Sequence, residues 1–196
     1  MTKRDLILNT MQELFQEGIA GTASVNDIAK RAGIAKGGLY YYFHSKEEVM
    51  DALVEREYET IISHCRELLD KSSLNALDKL ALLLHTYTGS YVDPSLDEYL
   101  HLPQNAAIHQ KSLAHILVSL SSLVTDILKQ GNEEGTFTCD YPEEYSEILL
   151  SVFTFLMDPG IFSWSKEQVF RKLKALSTML EAGLCCAPGS FSFLYK

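Results

Sequence analysis

The chain has 196 residues, 46% apolar and 22% charged, which excludes a disordered or collagen-like protein and leaves enough apolar material for one or two packed domains. Its net charge of −9 argues, as a total, against a nucleic-acid partner. The distribution reverses that: residues 1–50 are neutral, residues 51–196 carry the whole excess, and 28–46 hold Lys30, Arg31, Lys36 and Lys46 with no acidic side chain, a local basic footprint on an acidic chain.

Other exclusions come from local pattern. The longest apolar run, around 148–157, is broken by Ser151 and Thr154 and is far short of the roughly 20 residues a membrane helix needs. Residues 1–14 lack a signal-peptide core. Cys65, Cys139, Cys185 and Cys186 form no C-x-x-C pair, which is reduced, cytoplasmic thiol usage rather than a disulfide framework. A cytoplasmic chain without a membrane partner is therefore expected.

In chain order, nearly every block reads as helix. Ile7, Met11, Leu14 and Phe15 share one face, and Gly18 closes the block. Ser24 caps a short second helix carrying Val25, Ile28, Ala29 and Ala32, with Asp27 placed for a capping box and Gly33 as the stop. A third block, 36–43, puts Leu39 and Phe43 one turn apart. Ser45 then caps a long helix to about Leu69, whose two apolar groups flank the polar Glu55-Arg56-Glu57. A helix with two apolar patches joins two cores, so the expected division is 1–46 and 47–196. Further helices follow over 77–91, 113–127, 142–157 and 166–183, separated by Asp93-Pro94, by Gly131 and Gly135, and by Asp158-Pro159-Gly160. Glu133-Glu134 reads as a solvated pair in a turn. No block alternates as a strand does, so the fold class is all-α, with about nine helices.

The segment Ser24 to Lys46 carries the chemistry. Helix, tight glycine turn, helix is helix-turn-helix geometry. Lys36 opens the second of these helices. Gly37 and Gly38 each cost about 1 kcal/mol relative to Ala in a helix, and two in succession imply close backbone approach to something. One helix cannot bury Tyr40, Tyr41 and Tyr42 together, so at least one phenol is free to donate to a phosphate or a base edge. Lys46, at the next helix start, suits phosphate.

These residues resemble the TetR family of bacterial transcriptional repressors. The resemblance covers residues 3–50: R-x-x-I-L-x-x-x-x-x-L-F-x-x-G from Arg4 to Gly18, then S-V-x-D-I-A-x-x-A-G, then K-G-G-L-Y-Y-Y-F-x-S-K-E-E. It implies a three-helix DNA-binding head, a helical ligand-binding body, and a homodimer on a palindromic operator, released by a small molecule. It also implies DNA contacts at Ser24, Lys36, Gly37, Tyr40, Tyr41, Tyr42 and Lys46, with Ala35 beside them. Two positions depart from the family: Gly38 offers no side chain where relatives often have one, and Tyr42 stands where histidine is common.

In the body, His85, Tyr87, Tyr91, Tyr99, His101, Phe153, Met157 and Trp164 combine aromatic faces with polar tips, as a small-molecule site does. The block 142–157 is apolar all round and must be covered all round. That points to a subunit interface of Leu149, Val152, Phe153 and Leu156 with Phe170, Leu173, Leu176 and Leu180 of the last helix. His109 and His115 are six apart, so they do not share a helix face as i, i+4 metal ligands would, and no metal or cofactor is expected. Neither G-x-S-x-G nor H-E-x-x-H occurs, so no enzymatic activity is expected. The expected function is a ligand-responsive, operator-binding transcriptional regulator, a repressor. The rivals are an activator or co-regulator using the same head, and a helical sensor that has lost DNA binding, as Gly38 and the neutral head would allow.

Overall fold

The computed structural model describes residues 1–89 and 93–196. Its helices are α1 Lys3–Gln16, α2 Val25–Arg31, α3 Lys36–Tyr42, α4 Lys46–Asp70, α5 Ala76–Gly89, α6 Pro94–Leu100, α7 Ala106–Glu134, α8 Pro142–Ser151 and α9 Lys166–Gly183. Short 3-10 turns lie at Pro103–Asn105 and Ser192–Leu194. Among the described residues there is no strand. The chain forms two compact units: Met1–Thr60 with Tyr91–Ser112, and Ile61–Ser90 with Leu113–Lys196. α4 and α7 each run through a boundary between units.

In the first unit, reciprocal caps fix where helices begin. Thr2 Oγ1 accepts from the Asp5 amide at 3.1 Å while the Asp5 carboxylate accepts from the Thr2 amide at 2.8 Å. Ser24 and Asp27 repeat the arrangement at α2. Hydrogen bonds from Ser24 hold the Asp27 carboxyl below the usual carboxylate range. Gly33, at φ 65°, takes the left-handed turn that ends α2. The core joins Ile7, Leu8, Met11 and Phe15 of α1 to Ile28, Leu39, Phe43, Met50 and Leu53, and α6 adds Leu96 and Leu100. Arg31 forms a two-pronged ion pair with Glu17 and lies 3.4 Å from Glu13, tying α2 to the end of α1. Arg56 of α4 donates to Asn9 at 2.7 Å and Gln12 at 3.0 Å on α1.

In the second unit, α5 buries Leu80, Leu83 and Leu84, and α7 buries Ile116, Leu120, Val124, Ile127 and Leu128. Burying each such side chain contributes about 1.5–3 kcal/mol. α7 is longer than the sequence pattern indicates, because Gly131 does not end it. A Cβ there would meet the Phe137 ring at 2.1 Å, so Gly131 is the notch that accepts this ring. The helix ends instead at Gly135, φ 66°. By length and composition alone, residues 103–134 would pass for a membrane-crossing helix; a buried core stripe passes the same test, and Ile116, Leu120, Val124, Ile127 and Leu128 of α7 are buried in this unit. Glu134, expected to be merely solvated, accepts from the Ala76 amide at 2.9 Å and from Gln130 at 2.6 Å, capping α5. Those bonds, Gln130 first, hold its carboxyl below the ordinary value. The block 142–157 is α-helical only to Ser151; Val152–Leu156 is a π-helical turn, closed by the Met157 amide on the Val152 carbonyl at 2.9 Å.

Candidate nucleic-acid interface and cavity

α3 has an inner and an outer face. Leu39 and the following Phe43 are buried in the first unit. Lys36, Gly37, Tyr40 and Tyr41 form the outer face, with Tyr41 81% exposed and Tyr40 41% exposed. Tyr42 is half-buried against the core and makes an edge contact with Tyr41, centroids 4.9 Å apart. Lys36 Nζ stands 5.8 Å from the Tyr40 ring centroid, one turn along the same face. Ideal Cβ atoms on Gly37 and Gly38 would meet nothing within 4 Å. Neither glycine has a positive φ. Among the described residues nothing therefore requires them to be glycine.

The remaining sequence-derived positions lie around this face. Ser24 is exposed, and its hydroxyl donates to Asp27 at 2.6 Å as part of the cap. Ala35 is the exposed N-cap of α3 and offers no side-chain cap. Lys46 is half-buried and donates to the Gly21 carbonyl at 2.7 Å, bridging the start of α4 to the α1–α2 loop. Burial holds its ammonium below the usual lysine range. Of the four basic residues between 28 and 46, Arg31 is engaged by two carboxylates and Lys46 by a carbonyl. Lys30 and Lys36 are exposed, as is the ion-paired Arg31.

The second unit contains a partly open cavity of about 370 Å³, lined by Ala81, Leu82, Leu84, His85 and Thr88 of α5, Phe153 of the π turn, and Phe193 and Leu194 of the C-terminal tail. This is within the usual size range of small-molecule sites, toward its lower end. Of the sequence-derived candidates, His85 and Phe153 line it. Tyr87 is half-buried on α5. Tyr99 and His101 belong to the first unit, where Tyr99 packs edge-on against Phe15 at 5.3 Å and His101 against His109 at 4.9 Å. Met157 is half-buried. Trp164 donates to the Leu156 carbonyl at 2.8 Å and holds Lys172 Nζ 3.6 Å from its ring centroid. Tyr91 lies outside the described residues. The sequence pattern does not single out Phe193 and Leu194; the apolar spacing of Phe191-Ser192-Phe193-Leu194 is the signal that could have found them.

Residues singled out for a subunit interface divide by burial. Leu149 and Leu180 are buried within the chain, Val152, Phe153, Leu156, Leu173 and Leu176 are half-buried, and Phe170 is exposed. Apolar side chains that the chain leaves open nearby in sequence are Ile148, 65% exposed, Phe155, 52%, and Met179, 71%.

A helix-turn-helix with an exposed lysine–tyrosine face, in a chain that also folds a cavity-bearing helical unit, defines a DNA-binding transcriptional regulator. The family profile described as bacterial regulatory proteins, tetR family, matches residues 6–53. A second, described as tetracyclin repressor-like, C-terminal domain, matches residues 90–179. The chain belongs to the TetR family of transcriptional regulators. It is 29% identical over 169 residues to the transcriptional repressor KstR2 of Rhodococcus jostii, covering 80% of this chain and 75% of that one. It is 25% identical over 156 residues to the regulator UidR of Escherichia coli K12, covering 78% of each. Among solved structures, reduced NemR of E. coli aligns over 98% of this chain and 94% of that one, with TM-score 0.54 and 18% identity. FadR of Bacillus subtilis in complex with stearoyl-CoA aligns over 97% of each, with TM-score 0.56 and 18% identity. These two share the fold.

Proposed function

We propose that this chain is a homodimeric repressor of bacterial cytoplasm that binds a palindromic operator through α3 and leaves it when a small molecule occupies the second unit. The observation that carries the reading is the outer face of α3. Lys36, Gly37, Tyr40 and Tyr41 are exposed, and none is needed by the core. A lysine and phenols beside an open glycine backbone suit a major-groove and phosphate surface. Ser24, Ala35, Tyr42 and Lys46 border it. DNA contact thus falls to residues 1–46, and ligand binding and dimerisation to 47–196.

The cavity favours a neutral ligand with an apolar or aromatic body. Its lining is aliphatic and aromatic, with His85 and Thr88 as polar ends and, among the described residues, no carboxylate. The dimer would cover Ile148, Phe155, Phe170 and Met179 with a second copy, the usual fate of apolar side chains left open along α8, the π turn and α9. α4 begins at Lys46 and ends in the other unit, so the chain itself links the DNA surface to the body. A ligand acts only if it binds the two states of that connection unequally.

The test is binding to the DNA flanking the protein's own gene, measured across salt concentrations. The reading predicts saturable, sequence-selective binding whose affinity falls steeply with salt. Binding no tighter than to unrelated duplex would reject it.

A further inference from the structure

Two adjacent thiols in the second unit serve neither the DNA surface nor the hydrophobic core. α9 ends at Gly183, Leu184 is buried as its cap, and Cys185 and Cys186 follow, both free. Cys185 is exposed and Cys186 half-buried, whereas Cys65 and Cys139 are buried. Cys185 has φ 53°, alone among described non-glycine residues in the left-handed region, so the chain turns sharply at the pair. Beyond it the tail folds back. Glu181 Oε1 accepts from Ser177 Oγ at 3.1 Å and from the amides of Gly189 at 2.9 Å and Phe191 at 3.2 Å. Phe191 is fully buried, and Phe193 and Leu194 continue into the cavity wall. The thiol pair is thus the hinge of the segment that lines the cavity.

Geometry discriminates between the chemistries open to such a pair. A disulfide prefers Cα atoms about 4.4–6.8 Å apart, and neighbours across a trans peptide are held at about 3.8 Å. Direct S–S closure is therefore strained. One soft atom bound to both sulfurs at about 2.3 Å, as zinc is, lets them stand roughly 3.5–4 Å apart, wider than the direct bond of about 2.0 Å that a disulfide demands. Burial, and then the charges of Glu181 and Cys185, raise the Cys186 thiol above its ordinary value. That shift disfavours the thiolate that oxidants attack.

We propose that Cys185 and Cys186 form a dithiol site for a soft trivalent thiophilic centre, of the class of monosubstituted arsenicals. The reaction is a condensation. Two S–H and two As–O bonds break, two As–S bonds form, and the thiol protons leave with the hydroxyls as two waters. Arsenic stays trivalent, and no oxidant or reductant takes part. The site stands apart from the DNA-binding reading and does not depend on it.

The experiment is titration of the full chain with phenylarsine oxide, followed by intact mass and free-thiol count. The expected result is a single phenylarsenic group per chain with both neighbouring thiols consumed, stable to excess monothiol and removed by a dithiol. Cys185→Ser and Cys186→Ser should each weaken binding by about 10²–10⁴-fold, the usual gain from a second tethered contact. Cys65→Ser and Cys139→Ser should leave it unchanged. Cys186→Ala serves if serine disturbs the half-buried position. Equal binding by either hinge variant, removal by monothiol, or no adduct at all would overturn the site.

Discussion

The two units differ in where their unusual residues find their explanation. In the second unit the explanation is internal. Gly131 is glycine because the Phe137 ring occupies the space of its Cβ, and Glu134 is acidic because it caps α5. In the first unit, Arg31 and the two capping boxes are likewise explained within the chain. The outer face of α3 is not. Gly37 and Gly38 border open space, Tyr41 is 81% exposed, and among the described residues Lys36 faces the neighbouring Tyr40 ring and no carboxylate. Helix-weakening glycines and exposed phenols persist at a folding cost, so the reason for them lies outside the chain. The contrast supports the proposed reading of α3 as the DNA-facing surface.

The largest test concerns the surface the second unit leaves apolar. Ile148→Lys together with Met179→Lys places charges where a second copy would seat. Both side chains are exposed, so the chain should still fold. An unpaired buried interfacial charge costs about 3–5 kcal/mol, so sedimentation at micromolar concentration should give monomer. A monodisperse dimer would remove these residues from the interface.

Gly131→Ala should lower stability in denaturant titration by about 1–3 kcal/mol, the usual cost of overpacking, with the α3 surface unaffected. Unchanged stability would contradict the Phe137 notch. Lys36→Ala should weaken DNA binding by about 1–3 kcal/mol and relax sequence preference if it reads a base. Preference that survives intact would confine Lys36 to phosphate. Lys46→Ala should weaken binding to all sequences alike and lower the salt slope of log affinity by about 1 per subunit. Because Lys46 also holds the Gly21 carbonyl, the slope separates lost phosphate contact from a loosened loop: an unchanged slope with weaker affinity would assign it to structure alone.

Much of the first unit was legible because its signals are local. Ser24 with Asp27, Gly33, and the Leu39–Phe43 spacing each act within one turn of chain, and the structure places them as the pattern requires. What was illegible depended on contacts distant in sequence. Gly131 reads as a helix stop until Phe137 is seen to fold onto it. Tyr99 reads as cavity lining until α6 is seen to carry it against Phe15. The π turn at 152–156 has no periodicity of its own, and it exposes Phe155 while Phe153 lines the cavity. The tail enters the cavity wall only because Glu181 gathers the amides of Gly189 and Phe191.

The central claim is that α3 carries glycine for a partner and not for its own fold, and Gly37→Ala tests it with two readouts on one protein. The new methyl meets open space at a helical φ. Denaturant titration should therefore show stability raised by up to about 1 kcal/mol, while affinity for the DNA flanking the protein's own gene falls. Raised stability with unchanged DNA affinity would contradict the claim, as would lowered stability, which would mean that the fold itself required the glycine.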